Sequence, residues 1–447
     1  MPRDRLASWM LGQEARALLS RLDRLQSLAL QETMVPAAGF ARPALLAIEK
    51  SLVQGRTLLR ARVNGFLRWL DSNAGLDAGV DEAHRRFTFL KLRFNAVLTQ
   101  LDIFSEAMSQ RSEPETGVLL AGLDVAARDA LAGPGLLEPP PVVCYLARDA
   151  GGAIRRARTR LPGGGENPVA LIRLPRERMV GSGVASSLVH EAGHQMADLL
   201  DVLPSLRATL AARPTQTARA HLVRNLWRRW ISEIFADVWA IARVGVASTL
   251  GLISLVSLPK AFVFRVNTDD PHPPPWIRVK LSCAVGDALY PHPQWAQLAG
   301  LWESFYPLER TTITARLDLL RDLERGIPAL VDHLLAHRPP TLGGRALGDL
   351  MPGADRTPAN LALLTGPMHR DGGLHTAPPT VAFAAIAQAR MDGRMSPEQE
   401  SLVTTRLLKR WAVETTLAER PACVVPMKAV AHHVDRRRAW AMASLET

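Results

Sequence analysis

Lysine is nearly missing from this chain: of 54 basic residues, only those at positions 50, 91, 260, 280, 409 and 428 are lysines. The formal charge of +11 is therefore carried by arginine. Together with abundant Ala, Leu and Gly, it resembles the coding bias of a GC-rich bacterial genome. Aromatic residues make up 5 % and are not interleaved with the basic ones on a strand platform, so no specific nucleic-acid partner is expected. Cysteine is scarce as well. Cys144, Cys283 and Cys423 are scattered and odd in number, which excludes a disulfide framework. The first residues alternate Arg and Leu and lack the uninterrupted apolar core of a signal peptide. These features predict a cytoplasmic, reducing location. A long apolar run is missing too. Residues 244–259 carry no charge between Arg243 and Lys260, but a membrane-spanning helix needs roughly 20 apolar residues, so this run reads as a buried core helix.

Two signatures fail for want of partners. Asp81-Glu82-Ala83-His84 spells a helicase box, but that chemistry needs a phosphate-cradling G-x-x-x-x-G-K-[ST] loop, and the chain has no Gly-Lys pair. Gly163-Gly164-Gly165 lacks the lysine and the following helix of a nucleotide loop, and reads as a turn. His432-His433 has no acidic or Cys partner nearby except Asp435 and reads as surface.

What is present is the balance of a globular protein, with 47 % apolar and 22 % charged residues over 447 positions. The expected fold class is mainly α with a small β-sheet (α+β), a central domain between helical N- and C-terminal regions. Residues 1–135 read as a helical bundle, from stripes through Leu18, Leu22, Leu25 and Ala29, through Leu45, Ile48, Leu52, Leu59, Phe66 and Leu70, and through Phe87, Leu90, Phe94, Val97, Leu101 and Phe104. Gly133-Pro134-Gly135 and Pro139-Pro140-Pro141 break the texture. Residues 136–338 then form the second unit, with strands at 142–146 and 169–174 and helices at 182–201, with Ser182 as N-cap, at 217–243, and from about 277. Residues 339–447 read as a loop-rich extension with helices near 380–391 and 397–417.

The chemistry is concentrated in Val189-His190-Glu191-Ala192-Gly193-His194. Residues i and i+4 share one face of a helix, so both imidazoles can reach a single ion. Glu191 projects beside them, placed to take a proton from a water on that ion. Zinc accepts three protein ligands and leaves a fourth position open for such a water. Val184, Leu188, Ala192, Met196 and Leu199 supply the apolar stripe that packs the helix. Downstream, Glu233 and Asp237 stand four residues apart among Ile231, Phe235, Val238 and Trp239. Carboxylates are rarely buried without a partner. Glu233 as third ligand and Asp237 as acceptor for a ligand imidazole would satisfy both. Surface pairing with Arg228 and Arg229 is the alternative.

HExxH followed by a helix bearing E-x-x-x-D resembles the gluzincin zinc metallopeptidases. The wording EIFADVWA and then HPPPWIR is most similar to their CAAX-prenyl-protease and heat-shock membrane-protease branch, over about residues 169–289. The chain departs from that branch in lacking transmembrane helices. The resemblance implies His190, His194 and Glu233 as zinc ligands, Glu191 as general base and Asp237 as the group orienting a ligand histidine. It also implies His272 and Arg278 as residues steadying substrate or the oxyanion. A surface role for Arg278 and a structural one for His272 stand as alternatives. Tyr290 and Tyr306 are substitutes for the oxyanion role. The expected function is zinc-dependent hydrolysis of a peptide or protein substrate, with strand 169–174 as the sheet edge that aligns it. The alternative is a non-catalytic, zinc-stabilised scaffold. The N-terminal helical region is where a protein partner would dock.

Overall fold

A computed structural model describes residues 3–24, 34–133, 138–148, 151–161, 165–308, 314–351, 353–366 and 373–419. It is mainly helical with one small mixed sheet. The N-terminal helices follow the apolar stripes. They are α1 (Arg3–Asp23), α2 (Arg42–Leu70), a short α3 (Asn73–Asp77) capped by the Ser72 hydroxyl, and α4 (Gly79–Ser112). Leu18 and Leu22 of α1, Leu59 and Phe66 of α2, and Phe87, Leu90 and Phe94 of α4 form one cluster. Leu25, Ala29, Cys423, His432 and His433 lie outside the described residues.

The next helix, α5 (Pro114–Ala130), breaks with the bundle. Its Leu120, Leu123 and Ala127 pack into the main core, which runs on through the later helices. Packing therefore crosses the composition break at 133–135. The reason is local: helix α5 is rich in Ala and Gly, and at Gly122 an added Cβ would lie 2.2 Å from the Leu408 carbonyl oxygen. No side chain fits at position 122.

Three strands follow, β1 (Val142–Ala147), β2 (Ala153–Arg155) and β3 (Ala170–Pro175). The order is β1-β3-β2, with β1 parallel and β2 antiparallel to β3. Their side chains divide by period two. Cys144, Leu146, Ile172 and Leu174 enter the main core, whereas Val143 and Leu171 face Ile48, Leu52, Leu101 and Phe104 of α2 and α4. Both faces are covered, which explains why β1 and β3 read as near-continuous apolar runs. β3 is the middle strand, which corrects its expected place at the sheet edge. The edges are β1 and β2, the latter three half-buried residues too short to signal themselves.

The central layer comprises α6 (Ser182–Leu199), α7 (Val202–Ala212), α8 (Ala218–Val244) and α9 (Val246–Val256). Gly181, at φ +56°, is the residue preceding α6, so Ser182 is its first helical residue and not the expected cap. The Ser182 hydroxyl is hydrogen-bonded to Glu400 instead. Thr217 does cap α8, accepting the Ala220 N–H at 3.1 Å, and Gly245 at φ +53° ends it. The uncharged run 244–259 is not one element but the last residue of α8, that turn, α9 and an exposed end. Its Val246, Ala247, Thr249, Gly251 and Leu252 are buried, and Leu255 and Leu258 are exposed. Among the described residues no helix is long and apolar enough to cross a membrane.

A four-residue α10 (Lys260–Val263) precedes α11 (Pro275–Leu289), α12 (Gln294–Phe305) and α13 (Thr314–Ala336). Short turns lead through α14 (Pro358–Leu364) and α15 (Gly373–Thr376) to α16 (Pro379–Met391) and α17 (Pro397–Glu419). These last two match the helices expected there. Phe383, Ile386, Leu407 and Trp411 belong to the main core.

The contact between α9 and α6 has no slack. A Cβ at Gly251 would lie 2.3 Å from the Ser186 Cβ and 2.9 Å from the Ser182 carbonyl oxygen. Gly251→Ala should therefore destabilise the protein by about 1–3 kcal/mol, despite the better helix propensity of Ala. Chemical denaturation of the two proteins measures this; an unchanged midpoint would mean that α9 is not seated on α6 as described.

Candidate metal centre

Two helices supply the centre, and each contributes a pair spaced by one turn. Helix α6 presents His190 and His194, and α8 presents Glu233 and Asp237. The helices can approach because Gly193 faces Ala236. A Cβ at 193 would lie 2.8 Å from the Ala236 Cα and 3.0 Å from its carbonyl oxygen. The two unspecified positions of HExxH are thus Ala and Gly for a packing reason.

Asp237 orients His190. His190 Nδ1 donates to Asp237 Oδ1 at 2.8 Å. Arg278, in the first turn of α11, donates through Nε to Asp237 Oδ2 at 2.6 Å and through Nη2 to Oδ1 at 2.8 Å. Burial opposes ionisation of Asp237, but the charge and hydrogen bonds of Arg278, together with His190, hold its carboxyl well below the usual range. With Nδ1 engaged, His190 turns Nε2 toward Glu233, 3.2 Å from Oε2. His194 places Nε2 at 3.5 Å from Glu233 Oε1, and its Nδ1 lies 3.4 Å from the Ser232 hydroxyl. The two rings meet edge to face with centroids 4.9 Å apart.

One donor atom from each of His190, His194 and Glu233 lies within 4.8 Å of the other two, so this group could hold a metal ion. A second observation supports the fit. Glu233 Oε2 is buried and flanked by imidazole nitrogens, yet no contact to it has the alignment of a hydrogen bond. Two imidazoles and a carboxylate that converge in this way are a donor set that could hold a cation. The electrostatics agree. Burial works against a charged His190, but Asp237 and Glu233 outweigh it and raise its pKa to about 9. The centre thus favours positive charge.

Glu191 lies beside these groups and is buried. Burial pushes its carboxyl above the usual range, against the pull of His190 and His194. Gly152, just before β2, lies directly over it, where a Cβ would come within 2.6 Å of Glu191 Oε1. This contact escaped the sequence reading. The Gly151-Gly152 doublet was its one signal, and nothing local ties it to a helix forty residues away.

The remaining expectations divide. His272 does reach the centre, with Nε2 at 3.2 Å from Glu233 Oε2 and Nδ1 at 2.9 Å from Asp270 Oδ1. Arg278 reaches it as well, with Nε and Nη2 on Asp237, and it is buried rather than on the surface, the alternative expected for it. Tyr290 and Tyr306 are no substitutes, because their hydroxyls donate to the carbonyls of Ala242 and Leu258. Arg228 and Arg229 do not pair with the acids of α8 either. Arg228 turns to Asn225 at 3.5 Å and Arg229 to the Asp269 carbonyl at 3.0 Å. No protein-family model matches the chain, and neither a curated protein nor a solved structure matches it.

Asp237→Asn removes the charge that orients His190 and leaves Arg278 buried without its counter-charge. Metal affinity should fall by roughly 10–100-fold, and Arg278→Gln should act in the same direction. Competition with a chromophoric chelator measures both. Wild-type affinity in Asp237→Asn would remove Asp237 from the centre.

Proposed function

We propose that this chain is a zinc-dependent peptidase of the gluzincin type, hydrolysing a peptide bond of a peptide or protein substrate. The observation that carries the reading is a buried Glu191 standing beside two imidazoles that converge with Glu233. A scaffold site needs the three ligating groups alone; it has no use for a fourth, acidic group pressed against the opening.

The His, His, Glu donor set suits zinc with one position left open. When bound there, zinc would supply Lewis acidity toward a carbonyl and lower the pKa of a coordinated water to about 7. The protein's own residues do the rest. Asp237 accepts the Nδ1 proton of His190 and so leaves the Nε2 lone pair facing the centre. Arg278 keeps Asp237 ionised. Glu191 takes a proton from water as the water oxygen attacks the carbonyl carbon, and returns it to the amine nitrogen as the C–N bond breaks. Its raised pKa favours the first half of that exchange, since a more basic carboxylate takes the proton more readily, and the amine formed as the C–N bond breaks is basic enough to take it back.

Substrate alignment falls to β2 rather than β3. An edge strand with a free row of backbone groups can accept an extended peptide by strand addition. Glycines at 151 and 152 leave the approach over Glu191 clear of side chains. His272, half-exposed beside Glu233, stands where it would meet the substrate.

Glu191→Gln is nearly isosteric and cannot accept the proton. It should keep fold and metal content while losing at least 10²–10⁴-fold in turnover. A peptide-library cleavage assay on zinc-loaded wild type beside zinc-loaded Glu191→Gln measures it. Equal rates would rule out this mechanism, and a wild type that binds zinc but cleaves nothing would favour the scaffold.

A further inference from the structure

The C-terminal helices touch α6 and α8 at helix ends, away from His190, His194 and Glu233. At the N-terminus of α6, Glu400 of α17 is 1 % exposed. Its carboxylate accepts the Ser182 hydroxyl, accepts Arg390 Nη1 of α16 at 2.8 Å, and lies so close to Gly181 that a Cβ there would come within 2.6 Å of Oε2. At the C-terminus of α8 the partner is a cation. Arg356, 6 % exposed, donates Nε to the Arg243 carbonyl at 2.8 Å and Nη2 to the Thr380 hydroxyl at 2.9 Å. Thr380 in turn donates its backbone N–H and its hydroxyl to Asp129 Oδ2, at 2.8 and 2.6 Å.

The signs match the backbone dipoles. A carboxylate faces the positive end of α6 and a guanidinium faces the negative end of α8. Three of the last four carbonyls of α8 are also accounted for, Ile241 by the Gly245 N–H, Ala242 by the Tyr290 hydroxyl and Arg243 by Arg356. Arg390 and Thr380 both belong to α16, so one element connects the two grips.

The crossing of α6 and α8 explains why such grips matter. Small residues at Gly193 and Ala236 allow close approach, but a smooth contact resists sliding poorly. A shift of one residue along a helix moves a side chain by about 1.5 Å, and a metal constellation tolerates only about 0.5 Å. We infer that Glu400 and Arg356 are positioning residues for the metal centre: through α16 and α17 they fix the axial register of α6 against α8, and with it the meeting of His190 and His194 with Glu233. The inference rests on the metal reading above. It makes the C-terminal region a part of the site rather than an appendage.

Titration of the full-length, metal-free protein with cobalt(II) alone tests it, using the visible ligand-field bands to report both affinity and ligand geometry. Glu400→Gln and Arg356→Gln should each weaken cobalt binding by about 10-fold and alter the band shape. Leu59→Ala, a core truncation in the bundle of α1, α2 and α4, should lower stability while leaving affinity and band shape as in wild type. If Glu400→Gln does not fold, Ser182→Ala removes one contact of the same carboxylate and should show the same change at smaller size. Variants that bind cobalt as wild type does would overturn the brace alone. So would a Leu59→Ala that loses as much affinity as Glu400→Gln, since that would reduce the effect to global stability. A wild type that takes up no cobalt would overturn the metal reading and the brace with it.

Discussion

The carboxylate of Asp237 is the group on which the rest of the centre depends. Taking a carboxylate and a guanidinium out of water costs several kcal/mol per ion, and the attraction between them repays this only with good geometry and further hydrogen bonds. Asp237 meets that condition with two bonds from Arg278 and one from His190. Each bond constrains a different element. Helix α11 must begin where Arg278 falls in its first turn, which Pro274 and Pro275 favour by fixing the backbone at the helix start. Helix α6 must cross α8 closely enough for His190 to reach, which Gly193 permits.

The two acids of α8 stand one turn apart and have opposite surroundings. Asp237 faces a guanidinium and is spent on orientation. Glu233 faces three imidazoles, with one oxygen left unaligned, and is free to ligate. The division follows from depth along the helix. Asp237 lies level with the buried first turn of α11, and Glu233 level with the half-exposed loop that carries His272. A single helix thus supplies both one group of the cluster that could hold a metal ion and the support for another.

Enclosure comes from three directions. The sheet carries the main core on one face and α2 with α4 on the other, so the strand region that reaches Glu191 is held from behind. Helix α9 closes the back of α6 through Gly251. The C-terminal helices reach the far ends of α6 and α8 through Glu400 and Arg356. Interior positions where helices come nearest are glycines, because only the absence of a side chain allows the backbone of one helix to meet another at Gly122, Gly193 and Gly251.

Much of this was legible in the chain. The apolar stripes of α2 and α4, the β1 and β3 runs, the extents of α6 and α8, and the i, i+4 pairs His190–His194 and Glu233–Asp237 are local patterns. Their periods of 3.6 and 2 are written in neighbouring residues. What remained hidden depends on contacts between residues far apart in sequence. A three-residue β2 has no period to detect, and sheet order is decided by what packs on each face, so β3 became the centre and not the edge. Arg278 looked free because its partner lies forty-one positions upstream. Nothing local in the sequence marks Glu400 and Arg356, which folding buries against helix ends. The sequence by itself determined which residues share a helix face and therefore which could ligate together. Only the tertiary structure decided which charge meets which, because burial, and the need to satisfy every buried charge, is a property of the assembled core.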